Sequence, residues 1–253
     1  MVKQVLSKRI VILKGEGKIN YNYHYELMKE LYEVMTLIDS GRSFSLHEEG
    51  FSVDNKKFKL FNFHLSFSKK VKYNKDGIEF NYTDSISLII SGKNDILNLI
   101  LKGLIKKGFV NITGVKLEIK DFEEDNKIRF NKIMLYKVRT PIVESIYDNG
   151  KTLYLSPYDD RFYKALGQNL IRKYKALYNK DYTGELFFDI EDILRIKKKY
   201  ITGIKNGFLI GYTDFEIFIE ADIDMQNIAY YLGLGQNNSI GMGSLSYITG
   251  RRC

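Results

Sequence analysis

Gly233-Leu234-Gly235-Gln236-Asn237-Asn238-Ser239-Ile240-Gly241-Met242-Gly243 places four glycines in eleven residues near the end of a 253-residue chain. Such density marks backbone that must turn through positive φ or come close to a partner. The flanking segments decide what the loop can be. Met225 to Leu232 reads as a helix before it, and Ser244 to Thr249 as the last strand after it. A dinucleotide fingerprint needs strand, loop, helix in that order with G-x-G-x-x-G spacing, and here Asn238 stands at the third glycine's place. The run is therefore not a dinucleotide fingerprint. The loop is either a phosphate cradle of backbone N–H groups or a tight connection without a ligand.

Outward from the loop, the pattern is α+β. Val5, Ile10, Val11, Ile12 and Leu13 form a strand, and Leu27, Leu31, Val34 and Ile38 form one helical stripe that Gly41 ends. Lys57 to Ser68 reads as one strand, with Phe61, Phe63, Leu65 and Phe67 alternating against Asn62, His64, Ser66 and Ser68. A hairpin and strand follow to Ile90, then a helix over Asn94 to Lys107 and a strand over Val110 to Ile119. That order is β-α-β-β-α-β, the ferredoxin-like (RRM-like) unit. The acidic stretch Asp121 to Lys127 is the expected linker, giving units at 1–121 and 128–253. In the second unit, Lys132 to Ile146 is a strand with Pro141 at a bend, and Gly150 to Leu155 is a short one. A helix started by Pro157 and Asp159 runs to about Tyr178. Gly184 to Ile196, Tyr200 to Ile204 and Phe208 to Glu220 are further strands. The whole is two ferredoxin-like domains in tandem.

Composition narrows the partners. The net charge is +8, with +7 on residues 1–120 and +1 on 121–253. A polyanion would meet a positive field mainly on the first half. On the second half, Arg195, Lys197, Lys198 and Lys199 form the densest basic cluster. The single cysteine is Cys253, so no internal disulfide forms and a reducing, cytoplasmic setting is expected. One Cys and three His make a structural zinc site a poor fit. Asp189/Glu191/Asp192 and Asp222/Asp224 read as caps at element ends rather than magnesium ligands. No apolar run approaches the roughly 18 residues of a spanning helix, so no membrane partner is expected.

Three stretches carry a family resemblance. The first is the loop itself, with Asn238-Ser239-Ile240-Gly241. The second is Leu46-His47-Glu48 followed by Lys59-Leu60-Phe61-Asn62-Phe63. The third is Thr140-Pro141-Ile142, Tyr154-Leu155-Ser156-Pro157, Phe162 and Asn169-Leu170-Ile171-Arg172-Lys173-Tyr174. In order and spacing they resemble the signature of the CRISPR-associated repeat-RNA endoribonucleases of the RAMP superfamily. The resemblance runs from about Asn20 to the end. It implies tandem ferredoxin-like domains with RNA bound across both. The implied partners are CRISPR repeat RNA and subunits of a CRISPR effector complex, with the protein itself a monomer or homodimer. It implies no cofactor and no metal.

Metal-free RNA cleavage needs a base for the 2′-hydroxyl, an acid for the 5′-oxygen, and a cation or donor for the phosphorane. Read alone, His47 is a surface histidine after a turn; the resemblance makes it the general acid/base. Tyr32 aligns with an auxiliary catalytic tyrosine. At about 100° per residue it lies roughly 120–140° from the centre of the apolar stripe, which places it off the core. His24 falls within about 60° of that stripe and reads as packing. Lys59 corresponds to the family's phosphate-steadying lysine, with Lys56 and Lys57 near enough to share its work. His64 departs from the family's Ser; it is either solvated on the strand's polar face or a second imidazole near the site. Lys57, Arg195, Lys197, Lys198, Lys199, Gly233, Gly235, Asn238, Ser239, Gly241 and Gly243 are the expected RNA contacts. Two rivals remain on sequence alone: a RAMP-fold subunit that holds guide RNA without cutting it, and a small-molecule phosphate or nucleotide enzyme built on the glycine loop.

Overall fold

The computed structural model describes residues 5–125, 128–190, 193–204 and 207–248. The first half runs β1 (Leu6–Lys14), β2 (Gly17–Ile19), α1 (His24–Thr36), α2 (Ser40–Glu48), β3 (Phe51–Val53), β4 (Lys56–Phe58) and β5 (Phe61–Phe67). It continues with β6 (Lys72–Asn74), β7 (Gly77–Phe80), β8 (Ile86–Lys93), α3 (Asn94–Lys107), β9 (Phe109–Ile112) and β10 (Val115–Glu124). The second half comprises β11 (Ile133–Val138), β12 (Ser145–Asp148), β13 (Lys151–Tyr154), α4 (Asp160–Tyr178) and β14 (Phe187–Ile190). After them come β15 (Lys197–Ile204), β16 (Gly207–Thr213), β17 (Glu216–Glu220), α5 (Ile223–Leu232) and β18 (Leu245–Tyr247).

The main sheet of the first half is ordered β5-β8-β1-β10-β9 and that of the second β14-β17-β11-β18, with antiparallel neighbours throughout. Apart from the added edge strand β9, both follow one plan. The unit's first and third strands lie in the centre, the second and fourth outside. This is the ferredoxin-like arrangement read from the sequence, present twice.

One hydrophobic core runs through both units, from Leu6 to Leu245. Leu27, Leu31 and Val34 on α1 and Ile100 and Leu104 on α3 are fully buried against the first sheet. The second unit's helix α5 also packs on β1, β5 and β8 as well as on β18. That position explains its composition: seven of its ten residues are buried, as expected of a helix covered all round. Side chains such as Lys8, Asn62 and His64, which alternation turns away from the α1 side of the first sheet, therefore meet protein rather than water.

Several boundaries differ from the sequence reading, each for a local reason. Gly41 does not end the first helix. The chain leaves helix at Leu37, and the Asp39 carboxylate caps a new one by accepting from Arg42 N at 2.9 Å. Ile38 consequently lies beyond the stripe and is exposed. Lys57 to Ser68 is not one strand, because Leu60 takes φ 52° and separates β4 from β5. Phe208 to Glu220 divides at Asp214, φ 66°, into β16 and β17. Lys132 to Ile146 breaks after Val138, and Ile142 instead bridges to Tyr212. The linker expected at Asp121 to Lys127 is strand as far as Glu124, paired to Arg9 on β1; 126–127 lie outside the described residues. So do Glu191, Asp192 and Thr249.

Candidate active site

His47 sits in the last turn of α2. Ser43 fixes that helix on α1: its hydroxyl donates to Tyr32 O at 3.2 Å and accepts from Thr36 Oγ1 at 2.9 Å. Leu46 is buried beneath, which turns the next residue outward. The His47 side chain is 54 % exposed, and its Nδ1 lies 2.7 Å from Glu48 Oε1. The bond from His47, with Lys59 and Lys57 nearby, holds the Glu48 carboxyl below the usual carboxylate range. An Nδ1–H given to a carboxylate leaves Nε2 as the nitrogen that exchanges a proton. Glu48 is thus an orienting group that sequence reasoning quoted in its motif but left without a role.

Tyr32 corrects an expectation. It is buried in the core, not off it. The stripe geometry considered α1 alone, whereas α2 folds over the face that carries Tyr32. The tyrosine ring meets the His47 imidazole edge-on at 4.9 Å and 87°, and Phe61 at 5.9 Å. Burial pushes its phenol well above the ordinary tyrosine range, so it stays protonated at neutral pH. Two open cavities, of about 790 and 570 Å³, meet at the Tyr32–His47 pair.

Lys59 reaches the same turn from the chain segment between β4 and β5. Its ammonium donates to Leu46 O at 2.6 Å and to His47 O. Lys57 donates to Glu48 O at 2.9 Å. Two cations therefore cap the carbonyl end of α2, where the helix dipole favours positive charge. Gly50, at φ 59°, makes room, because a Cβ there would lie 3.1 Å from Lys59 Cδ and 2.6 Å from Phe58 O. Desolvation first, then Lys57, lowers the pKa of Lys59.

The other histidines are elsewhere. His64 is buried, with Nδ1 2.7 Å from Ser244 Oγ, and burial lowers its pKa to about 3. It is neither solvated nor a second imidazole at the site: the second unit covers the polar face of β5 at Asn62 and His64. Asn62 on that face donates to Met242 O at 3.0 Å. His24 is buried, as its place on the stripe foretold, and burial lowers its pKa to about 4. Of three histidines, His47 alone is exposed to solvent.

The glycine loop seals this contact between units. Gly233, Gly235, Gly241 and Gly243 all have positive φ and are buried. A Cβ on Gly241 would lie 2.8 Å from Phe63 Cε2, and one on Gly243 only 1.8 Å from Leu234 O. Gly233 N donates to Ala229 O, Gly241 N to Asn238 O and Gly243 N to Pro141 O. Asn238 Nδ2 ties Leu234 O and Met242 O together. The N–H groups of Gly233, Gly241 and Gly243 are thus spent inside the protein, and these three glycines serve close packing. Gly235, Asn238 and Ser239 line the cleft between the units.

Two family models together match residues 18–247 of the chain: "CRISPR-associated protein Cas6, N-terminal" over 18–123 and "CRISPR associated protein Cas6, C-terminal" over 122–247. The chain belongs to the Cas6 family. A curated Cas6 relative, CRISPR-associated endoribonuclease Cas6 1 of Methanocaldococcus jannaschii, is 28 % identical over 234 residues, covering 89 % of this chain and 85 % of its own. CRISPR-associated endoribonuclease Cas6 of Pyrococcus furiosus is 24 % identical over 233 residues, covering 89 % and 82 %. Among solved structures, a "CRISPR associated protein Cas6" superposes with a TM-score of 0.78 at 24 % identity, covering 96 % of this chain and 99 % of that one. "An RAMP protein binding different RNA substrates" gives 0.81 at 20 % identity, covering 96 % and 99 %. The fold of this Cas6 chain is therefore the tandem RAMP fold expected from its motifs.

The basic run of this Cas6 protein lies on the β15–β16 hairpin. Lys197 pairs with Asp214 at 3.0 Å, Lys198 lies 4.9 Å over Tyr200, and Lys199 is exposed on the same strand. Arg195 is exposed in a short 3-10 turn just before the hairpin. The hairpin reaches the first unit, where Thr202 Oγ1 accepts from Asn22 Nδ2 at 2.6 Å. Between the units, a cleft of about 490 Å³ is lined by Lys57, Lys59, Arg172, Lys173, Asn238 and Ser239 among others. Lys173 is buried there and donates to Gly233 O at 2.7 Å and Gly235 O at 3.0 Å, beside the buried carboxyl of Glu144. Sequence reasoning quoted Lys173 in its third motif but gave it no use; it anchors the glycine loop.

Proposed function

We propose that this protein binds CRISPR precursor RNA and cuts it within the repeats by attack of a 2′-hydroxyl, leaving a 2′,3′-cyclic phosphate and a 5′-hydroxyl. The observation that carries this reading is the His47 site: the chain's one exposed imidazole, oriented by Glu48, seated on Tyr32, at a helix end held by two lysines. The names of its curated relatives and its membership of the Cas6 family support the same reaction class.

The roles follow from the geometry. His47 Nε2 takes the proton of the attacking hydroxyl, while Glu48 stabilises the imidazolium that forms. Tyr32 is protonated at neutral pH, so of the two roles open to it, donor or base, it is the donor. Lys59 already gives hydrogens to two carbonyls. It holds the turn under His47 and adds its charge to the field that the phosphorane meets. Lys57, at the rim, is the more accessible cation for a phosphate oxygen.

Single-turnover cleavage of the cognate repeat RNA with protein in excess tests this. His47→Ala should slow cutting by about 10²–10⁴-fold with affinity changed no more than a few-fold. An RNA with 2′-deoxyribose just 5′ of the cut should bind and stay intact, and cleavage of native RNA should continue in EDTA. Cutting of the deoxy substrate, or a requirement for Mg²⁺, would instead indicate attack by water activated on a metal.

A further inference from the structure

Phe44 stands one turn before His47 on α2 and is 69 % exposed. Residues three apart on a helix share a face, with Cβ atoms about 5–6 Å apart. Phe44 and His47 thus stand side by side on the helix that carries the chemistry. They line the same cavity of about 570 Å³, with Tyr32, Thr36, Gly41 and Ser43. The small residues Gly41 and Ser43 leave open space beside the phenyl ring. The companion cavity on the other side of the Tyr32–His47 pair is lined by Tyr25, Met28, Lys29 and Leu37 among others. The Tyr25 ring there is half-buried, and Lys29 lies 5.3 Å over it. The ring fully presented beside the imidazole is that of Phe44.

A strand cut at His47 must pass a nucleotide on each side of the reacting phosphate. The Phe44–His47 spacing is close to one nucleotide's reach. We propose that Phe44 is the stacking platform for the base next to the scissile phosphate, and that its cavity is a nucleotide subsite that aligns the strand for in-line attack. The inference rests on the proposed RNA cleavage. A phenyl ring offers a π-face and no hydrogen bonds, so the subsite accepts any base and acts on alignment and affinity rather than on sequence. Helix α2 supplies rigidity, because the Asp39 cap and the Ser43 bonds to α1 fix the platform relative to His47.

The test uses repeat RNA whose cut position has been mapped with the wild-type protein. The attacking ribose is then made 2′-deoxy to prevent cutting, and 2-aminopurine replaces the base on one side of the cut or the other. Wild-type protein should quench the fluorophore at one of these positions through ring stacking. Phe44→Leu should abolish that quench and raise the half-saturating protein concentration in single-turnover cleavage by about 5- to 150-fold, the range for removal of one base–aromatic stack. Phe44→Trp should retain both. The exposed position makes folding of the variants straightforward to confirm by thermal melting. If wild type cuts native RNA and Phe44→Leu keeps both quench and half-saturation, the subsite is overturned while the cleavage reading stands. If Phe44→Leu converts a dimer to a monomer in sedimentation with the quench unchanged, Phe44 is a contact between copies and the subsite is again overturned. If wild type does not cut repeat RNA, the cleavage reading falls and the subsite with it.

Discussion

His64 shows how one side chain can be misread from its strand and then become a sensor of the fold. Its alternation with Phe63 and Leu65 is correct, but the second unit covers the polar face. Burial depresses the pKa of His64 to about 3 and that of His24 to about 4. An unfolded imidazole takes up a proton near pH 6.5, so below that pH the unfolded state binds more protons than the native one. Each buried histidine should then cost about 1.4 kcal/mol of stability per pH unit as pH falls from 6.5 toward its native pKa. Glu144 acts with the opposite sign. Burial raises its pKa above the usual carboxylate range, so its contribution is present at low pH and is lost as pH rises toward neutral. Comparing urea unfolding of wild type and His64→Gln from pH 7 to 4.5 isolates the histidine. The variant's stability should depend on pH less steeply by up to about one proton. Equal slopes would mean that His64 is protonated in the folded protein.

At the scale of elements, the glycine loop and the β15–β16 hairpin should respond differently to mutation. Gly241 combines φ 82° with Phe63 at 2.8 Å from a would-be Cβ. Gly241→Val should destabilise the protein by about 2–5 kcal/mol through backbone strain and overpacking. Thermal unfolding reads that directly. Net charge is unchanged, so the salt dependence of RNA binding by the folded fraction should remain as in wild type. Lys197, Lys198 and Lys199 are exposed, and their replacement by Ala should leave stability nearly intact. Each phosphate that the protein no longer neutralises flattens the log–log salt slope by about 0.7 on a single strand. Lys197 is held by Asp214, so the triple variant should flatten the slope by about 1.4 rather than about 2.1. Filter binding across a salt series measures this. A wild-type slope would show that the hairpin is a solvated face rather than part of the RNA path.

At the scale of the whole molecule, the two ferredoxin-like units share one core. Helix α5 packs on both sheets, the glycine loop lies against β5, and Lys8, buried in the first unit, donates to Leu245 O at 3.2 Å and lies 3.4 Å over the Tyr230 ring. Separating the units would expose Asn62, His64 and Lys8 together with the apolar face of α5. Burial of that extent makes independent unfolding unfavourable. Urea unfolding should therefore be a single transition, with far-UV circular dichroism and tyrosine fluorescence coinciding. Two separated transitions would show that the units are autonomous. The continuity bears on the proposed function, because it holds the basic hairpin and the His47 turn in one frame for an RNA that crosses both units.

The sequence by itself determined the architecture and, through its motif resemblance, nominated His47 for the candidate site. Helical and alternating periodicities are local properties, so Asn94–Lys107 was legible to the residue and the helix capped by Asp159 nearly so, as was the repeated β-α-β-β-α-β order. His47 was legible through Leu46-His47-Glu48, because its motif is contiguous in the chain. Only the tertiary structure decided which faces are dry. Tyr32 is buried because a second helix, capped by Asp39, folds over it. His64 is buried because the second unit, through Ser244, 180 residues further along the chain, covers it. Gly233, Gly241 and Gly243 are packing residues because their N–H groups bond to Ala229, Asn238 and Pro141 instead of facing solvent. Periodicity tells which side chains share a face, but burial depends on what packs against that face, and those partners come from distant parts of the chain.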